Sequence, residues 1–347
     1  DPSGATVFWS WRQRLVGPPA IEVALHTLED APTSARLPPS RAVLLDVPFA
    51  PHDVALGRRY ACFLTCPTVV RIAPFIAGLK GPAQCTTFDD AAIAAGRGST
   101  IHLVPRAGAG AAGAADGAGS AAAAFSVGEP FHAVHHANAW EEGSGAGGAV
   151  HVLSSCWPPA AVRRMARAGN DLLGSWSELR AGSFEGVSIT NLVHFTLKPE
   201  SGTVRHRVLA NGAQLDHPKV HPDWETRASR YVYATMGRRD NGGIEDATPV
   251  APQSFACVDV QTGEIIDSWY AGARRLVDEA TLVPRRSREG DERDAWLIAP
   301  IFDGSTRRTT YVVLDAARMA TGPVCELVLP TFIPWGLHGS WVEAALR

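Results

Sequence analysis

Several features that mark common protein classes are missing from this 347-residue sequence. It has no run of about 18 apolar residues, so we expect no transmembrane helix. Its six cysteines include no CxxC pair and are too sparse for a disulfide scaffold, which makes a reducing compartment the default. The net charge is only −3 and the arginine pairs are scattered, so no nucleic-acid partner is expected. The 46% apolar content fits a globular chain.

Helical periodicity is also scarce. Ala160–Leu173, preceded by two prolines, is the best helix candidate, and Asp89–Ala95 is a shorter one. Short segments rich in Val, Ile, Tyr, Trp and Phe dominate instead, and turn residues bound most of them. The predicted strands are Thr6–Trp11, Arg59–Thr65, Val69–Ile72, Ile101–Val104, His151–Ser154, Ser188–Leu197, Arg230–Thr235, Ser254–Val260, Ala295–Phe302, Thr309–Leu314 and Cys325–Leu329.

Turn signatures between the apolar segments predict antiparallel hairpins. The clearest is DVQTGE at residues 259–264, where an acidic residue, a polar turn and a glycine separate two apolar segments. Repeated hairpins without crossover helices favour a single all-β domain over residues 1–347. A β-propeller is the natural candidate, while a barrel or a sandwich remains possible from this pattern.

Residues 107–124 consist almost entirely of alanine and glycine. Alanine content alone would favour a helix, but each glycine costs about 1 kcal/mol in one. We therefore expect a low-complexity insertion within a connection, and we assign it no function.

Three of the twelve histidines lie in unusual contexts. His52 lies in PHD, residues 51–53, directly before a predicted strand. His135 lies in FHAVHHANAWEE, residues 131–142, which combines three histidines, an amide and two carboxylates. His338 lies in WGLHGSW, residues 335–341, between small residues and two tryptophans.

Residues so far apart in the chain exclude a local metal motif such as HExxH. Different blades of a propeller, however, each send side chains to the central axis. An all-imidazole set suits Fe, Cu or Zn, and open coordination positions would favour redox chemistry with oxygen. Three unrelated structural histidines are the alternative.

At these residues the sequence resembles the carotenoid cleavage oxygenase family, which includes the retinal pigment epithelium isomerase. Residues 51–53 resemble its HDF motif, residues 135–141 its FHxxNAWE motif and residues 336–342 its GFHGxWV motif. The resemblance implies a seven-bladed propeller, with a few helices and loops capping a face that carries Fe(II) on four histidines. In this sequence His52, His135 and His338 match the second, third and fourth of these ligands.

The family also places carboxylates behind its ligand histidines, and these positions match Glu279 and Asp216. Because the family usually has Glu where this chain has Asp216, we expect the shorter side chain to lose its hydrogen bond or to bridge it through water. The neighbouring His217 is either an alternative ligand or a loop residue, and we favour the loop. A second departure is Val134, where the family usually has Phe.

The first iron ligand of the family lies upstream of a segment resembling residues 1–4. We therefore expect that the chain is a C-terminal fragment that lacks this ligand, some N-terminal blade strands and a further carboxylate. On this view the 347 residues alone bind iron weakly or not at all.

The resemblance implies a non-haem iron dioxygenase that cleaves a conjugated C=C bond of a carotenoid or apocarotenoid with O₂ to give two carbonyl products. A polyene isomerase, a stilbene-cleaving enzyme, or an inactive binding propeller are the alternatives. It also implies a peripheral membrane contact for substrate uptake, and localisation to a plastid in an alga or plant or otherwise to the cytoplasm. No substrate-binding residue is assigned.

Overall fold

A computed structural model describes most of the chain. The described residues are 6–14, 20–28, 41–45, 47, 51–81, 83–106, 122–143, 148–169, 189–239, 251–285, 290–334, 336 and 338–341.

Strands account for most of the regular structure in these residues. In chain order they are β1 (Thr6–Arg14), β2 (Ala20–Leu28), β3 (Arg41–Leu45), β4 (Ala55–Leu56), β5 (Tyr60–Thr65), β6 (Thr68–Val70), β7 (Thr86–Phe88), β8 (Thr100–Pro105), β9 (Ala123–Ser126), β10 (His132–Glu142), β11 (Ala149–Trp157), β12 (Asn191–Lys198), β13 (Thr203–Leu209), β14 (Ala213–Lys219), β15 (Tyr231–Arg239), β16 (Ser254–Asp259), β17 (Glu264–Tyr270), β18 (Arg275–Val277), β19 (Thr281–Pro284), β20 (Ala295–Asp303), β21 (Arg308–Asp315) and β22 (Cys325–Val328). The helices are α1 (Ile72–Ile76), α2 (Asp90–Ala94) and α3 (Pro159–Ala168).

The strands form successive antiparallel sheets, each built from strands that follow one another in the chain. Sheet 1 is β1-β2-β3, sheet 2 is β4-β5-β8-β9, sheet 3 is β10-β11-β12-β13 and sheet 4 is β14-β15-β16-β17. Sheet 5 runs β18-β20-β21-β22, with β19 also pairing with β20. The small ribbon β6-β7 lies apart from them. This sequential order is the topology of propeller blades.

Packing distinguishes the propeller from a two-layer sandwich. One core lies between sheets 1 and 2, another between sheets 2 and 3, and further cores between sheets 3 and 4 and between sheets 4 and 5. In sheet 3, Val152 points to sheet 2 and its neighbour Leu153 to sheet 4. Sheets 2, 3 and 4 are therefore buried on both faces, which a two-layer sandwich does not require. Five sheets fall within the described residues, and the seven blades implied by the resemblance stay a prediction.

The helices cluster at one end of the sheets. Strand β4 pairs antiparallel with β5, so His52, which precedes β4, lies toward the Thr65 end of β5. The insertion that carries α1 and α2 leaves the sheet at that same end. Helix α3 follows β11 from the end where His135 pairs with Ser155, and it contacts α2. The expected capping of the histidine face by a few helices is thus observed.

All eleven predicted strands overlap observed ones. Helix α2 agrees with its prediction, and Asp89 caps it by accepting a hydrogen bond from the Ala92 amide. Helix α3 ends earlier than predicted because Gly169 adopts the left-handed conformation that terminates helices. Ile72 starts α1 rather than ending a strand. Of the alanine- and glycine-rich insertion, residues 107–121 lie outside the described part, and Ala123 begins β9.

The sequence patterns missed β2, β3, β4, β7, β9, β10, β13, β14, β17, β18 and β19. Two of these, β10 and β14, carry His135, Asp216 and His217 of the candidate site. They were missed because polar and histidine side chains interrupt the apolar alternation by which strands are recognised.

Two residues of the NAWE segment clamp sheet 3 to its neighbours. Asn138 is 5% exposed and its amide donates to the Trp224 and Arg227 carbonyls, while its oxygen accepts from the Thr226 amide. Glu141 accepts from the Arg58 and Arg59 amides in the β4–β5 turn. A Cβ at Gly57 would lie 2.7 Å from this carboxylate, so a larger residue there would displace the Glu141 side chain.

We predict that Asn138→Ala destabilises the protein more than a typical surface substitution. It would leave the buried Thr226 amide without its partner, at a cost of about 1–3 kcal/mol, and would remove the hydrogen bonds to the Trp224 and Arg227 carbonyls. The midpoint of urea unfolding should therefore fall clearly. Asn211→Ala, at an exposed turn position, is the control and should change stability by less than about 0.5 kcal/mol. Equal midpoints for the two variants would contradict the clamp.

Candidate metal centre

Two of the candidate residues lie in the first strands of their sheets, His135 in β10 and Asp216 in β14, and the strand pairing is irregular at the site. In β10, extra residues before His135 and after His136 break the register with β11. In β14, three steps from Asp216 to Lys219 oppose two from Thr235 to Tyr233. Between β18 and β19 the pairing with β20 lapses around Glu279. Such bulges re-aim side chains at functional sites.

The structure brings His52, His135 and His338 together. One nitrogen from each ring lies within 4.8 Å of the others, a spacing that could hold a metal ion. The rings of His52 and His135 are 5.4 Å apart between centroids, and those of His135 and His338 are 5.1 Å apart. Both pairs are nearly perpendicular, so the rings converge rather than stack. The side chain of His135 is 14% exposed, whereas that of His338 is 56% exposed.

Asp216 orients the ring of His135. The His135 Nδ1–H donates to Asp216 Oδ1 at 2.8 Å, which leaves Nε2 as the nitrogen with a free lone pair. The expectation that this shorter carboxylate would lose its bond or need a water is therefore wrong. Burial raises the pKa of Asp216, but the hydrogen bond and charge of His135 outweigh it and the net shift is downward.

Glu279 plays the corresponding part for His338. Its Oε1 lies 3.3 Å from His338 Nδ1, and its Oε2 accepts from the Gly339 amide at 2.8 Å. Lys219 forms an ion pair with the same carboxylate at 2.8 Å. Burial raises the pKa of Glu279, yet the lysine and these hydrogen bonds bring the net shift below its usual value. The carboxylate is thus ionised at neutral pH and accepts hydrogen bonds only.

Asp53 is a site residue that the histidine-based search did not assign. Its Oδ2 accepts from the His136 amide at 2.8 Å, and its Oδ1 accepts from the Val54 amide. Asp53 therefore ties the segment that carries His52 to the strand that carries His135. The sequence feature that could have identified Asp53 is its place beside His52 in the PHD tripeptide. A carboxylate next to a histidine can accept hydrogen bonds from backbone amides as well as from an imidazole ring.

The other two histidines of the β10 motif have different surroundings. His132 packs against Phe88 and Trp157, and burial lowers its pKa to about 4. His136 borders the site cavity, with Nδ1 hydrogen-bonded to Ser154. Of the three, only His135 joins the converging group, as the motif spacing predicted.

The three tryptophans near the histidine motifs have different surroundings. Trp140 is buried and stacks on His151, within the core between sheets 3 and 4. Trp341 is exposed beside the site. Trp335 lies outside the described residues.

A cavity of about 400 Å³ surrounds the converging rings. His217 lines it together with the three histidines, and its ring centroid is 4.8 Å from that of His135. The expectation that His217 is a loop residue is wrong, because it lies in β14 at the bulge.

A second cavity, of about 740 Å³, adjoins the first at Glu279 and His338. Apolar side chains of β20, β21 and β22 form its wall, among them Phe302, Tyr311 and Leu327. This is the face of sheet 5 opposite its core with sheet 4, and it has no packed sheet among the described residues. The cavity is therefore an open groove along a sheet.

The donor set can hold a borderline divalent metal. Three neutral imidazoles, two of them held by carboxylates at the far nitrogen, match the usual protein environment of Fe, Cu, Zn or Co. With three converging nitrogens, a six-coordinate metal would keep open positions. The fold and the site together define a β-propeller with an imidazole-lined centre at the end of the sheets where the helices cluster.

Comparisons with known proteins agree with this class. The profile of the retinal pigment epithelial membrane protein family, RPE65, matches residues 18–343. The chain belongs to this family, and the resemblance drawn from its motifs is confirmed.

Individual relatives are more distant. The chain is 28% identical to the apocarotenoid-15,15'-oxygenase of Synechocystis sp. over 294 residues, which are 84% of this chain and 51% of that protein. It is 27% identical to a carotenoid 9,10(9',10')-cleavage dioxygenase of Crocus sativus, over 60% of this chain and 36% of that one. The chain thus spans about half or less of the length of these relatives.

Solved structures confirm the fold. The chain is similar to a variant of the Synechocystis apocarotenoid oxygenase with a TM-score of 0.74 and 25% identity, covering 98% of this chain and 61% of that one. The same oxygenase in a cobalt-substituted form matches equally well, so that relative accepts cobalt.

We predict that Asp216→Asn weakens metal binding by about 10- to 100-fold, the usual effect of removing a carboxylate behind a histidine ligand. Asparagine keeps the volume but removes the charge that fixes the His135 tautomer. Calorimetric titration with Co²⁺ would measure the change. Asp223→Asn, which removes an exposed carboxylate outside the cavity, is the control, and equal affinities for the two variants would contradict the role of Asp216.

Proposed function

We propose that His52, His135 and His338 bind Fe(II), with Asp216 and Glu279 as supporting carboxylates. The observation that carries the proposal is the convergence of one nitrogen from each ring within 4.8 Å. Membership of the RPE65 family and the cobalt-substituted relative support it. The protein would act as a non-haem dioxygenase that cleaves a conjugated C=C bond of a carotenoid or apocarotenoid with O₂, giving two carbonyl products.

Bound iron would supply the redox chemistry with O₂. The residues of this chain supply orientation and charge. His135 and His338 each donate their Nδ1–H to a carboxylate, which fixes the tautomer with Nε2 free and limits rotation of the ring. Both carboxylates have lowered pKa values, so they remain acceptors at neutral pH. Neutral imidazoles leave the metal's charge largely intact.

Stilbene cleavage is the second candidate. The chain is 35% identical over 79 residues to a lignostilbene-alpha,beta-dioxygenase isozyme of Sphingomonas paucimobilis, which is 23% of this chain. The site residues are the same for either substrate because they hold the metal rather than the polyene. A polyene isomerase on this scaffold would form a product of unchanged mass without consuming O₂.

For the test, protein loaded with Fe(II) is incubated in air with a panel of carotenoids, apocarotenoids and stilbenes. We expect aldehyde or ketone products from at least one polyene, identified by mass spectrometry. His135→Ala should lower product formation by at least about 100-fold, since it removes a ligand rather than its support.

His206→Ala is the matched control, because His206 is an exposed histidine on β13 outside the cavity. No cleavage product from any member of the panel would contradict the dioxygenase, and a product of unchanged mass would favour the isomerase. A wild type that takes up no Fe(II) would leave only a binding propeller.

We further propose that α1 and the turn after it contact a membrane surface. Phe75, Ile76 and Leu79 are exposed, the last two each 78% exposed, and Lys80 follows them. Apolar side chains beside a lysine suit the boundary between lipid headgroups and acyl chains. The segment rises from the same end of sheet 2 as His52, so a polyene leaving the membrane there would be near the metal centre. Among the described residues, no helix is long and apolar enough to span a bilayer.

Replacing Phe75, Ile76 and Leu79 with serine should therefore weaken binding to phosphatidylcholine–phosphatidylglycerol vesicles by at least about tenfold. Each inserted side chain of this size contributes about 1.5–3 kcal/mol. Vesicle co-sedimentation measures the effect. The control replaces Ile266 and Val328, exposed apolar residues on the outermost strands of sheets 4 and 5. If both variants sediment like the wild type, this contact is wrong.

A further inference from the structure

His217 faces the metal cavity although the geometry of a regular strand would turn it away. Successive side chains of a strand point to opposite faces, and its neighbour Asp216 already points to His135. The extra residue in β14 between Asp216 and Lys219 breaks this alternation. As a result His217 borders the cavity, while the carboxylate of Asp216 beside it binds the ring of His135, which also lines that cavity.

The backbone at His217 is held in a costly conformation. Its φ is +48°, in the left-handed region that few residues other than glycine adopt. Pro218 follows, and a residue before proline favours extended backbone, which adds to the cost. Strain of this kind persists where the surroundings enforce it, and it concentrates at functional sites. At this position it has the effect of bringing an imidazole into the cavity.

The polar atoms of the ring also indicate an absent partner. His217 Nδ1 is buried and has no hydrogen-bond partner among the described residues. Its ring lies 4.8 Å from that of His135 and 5.9 Å from that of His338, measured between centroids. Leaving a buried polar atom unpaired is unfavourable, so a native structure rarely keeps one without a reason. A cation shared with the neighbouring imidazoles would supply one.

We propose that His217 is a fourth imidazole ligand of the metal centre, binding together with His52, His135 and His338. This inference rests on the proposed metal site and extends it. His217 is not one of the three residues whose donor atoms all lie within 4.8 Å of one another, so its participation is a separate claim with its own test. It would add an imidazole from β14 to the three that converge.

The test compares the wild type with His217→Asn, using Co²⁺ alone for affinity and Cu²⁺ alone for pulsed electron paramagnetic resonance. Asparagine tolerates a positive φ, so the substitution removes the imidazole without adding backbone strain. We expect Co²⁺ affinity to fall at least about tenfold and the Cu²⁺ spectrum to show one fewer imidazole nitrogen. His206→Asn, at the exposed histidine of β13, should leave both unchanged.

His217→Gly is the second variant, in case the first folds poorly. Glycine relieves the strain, so the metal-free variant should unfold at a higher temperature than the wild type while still losing the nitrogen signal. If removing His135 abolishes binding but both His217 variants match the wild type in affinity and spectrum, His217 is no ligand and the three-histidine centre stands. If the wild type binds neither ion, both proposals fail.

Discussion

The site depends on hydrogen bonds that hold imidazoles from behind. A propeller brings its inner strands to one axis, but a histidine on such a strand is free to rotate, and no helical repeat sets the spacing between ligands. Asp216 and Glu279 remove that freedom for His135 and His338 and define which ring nitrogen is available. Asp216 lies in sheet 4 and Glu279 between two strands of sheet 5, whereas His135 lies in sheet 3 and His52 directly precedes sheet 2. The centre therefore forms only when these sheets are packed together.

That packing is secured close to the metal centre. Asn138 binds the β14–β15 connection on one side, and Glu141 binds the β4–β5 turn on the other. Asp53 adds a third link, from the His52 segment to the His136 amide. Strand β10 therefore has two roles. His135 faces the candidate metal centre, while Asn138 and Glu141 fix the position of the strand relative to the neighbouring sheets.

The irregularity of β10 and β14 explains how their side chains reach the site and why these two strands were not predicted from the sequence. In a regular strand successive residues point to opposite faces, so only one of Asp216 and His217 would face the site from β14. At the bulge in β14, the consecutive residues Asp216 and His217 both lie at the site. Two bulges in β10 lie on either side of His135 and His136. Strands with apolar alternation, such as β15 and β20, were found from sequence. The site-bearing β10 and β14 were not, because their polar residues serve the axis rather than a core.

The sequence by itself determined the family, the all-β class and the three histidines, because these follow from short ordered motifs and from apolar patterning that any fold must satisfy. It also identified Asp216 and Glu279 by position. Only the tertiary structure decided that Asp216 reaches His135 directly, that Asp53 joins two sheets, and that His217 lies in the cavity. The physical reason is that these facts depend on a shift of one residue between paired strands, which reverses the direction of a side chain and leaves almost no trace in composition or spacing.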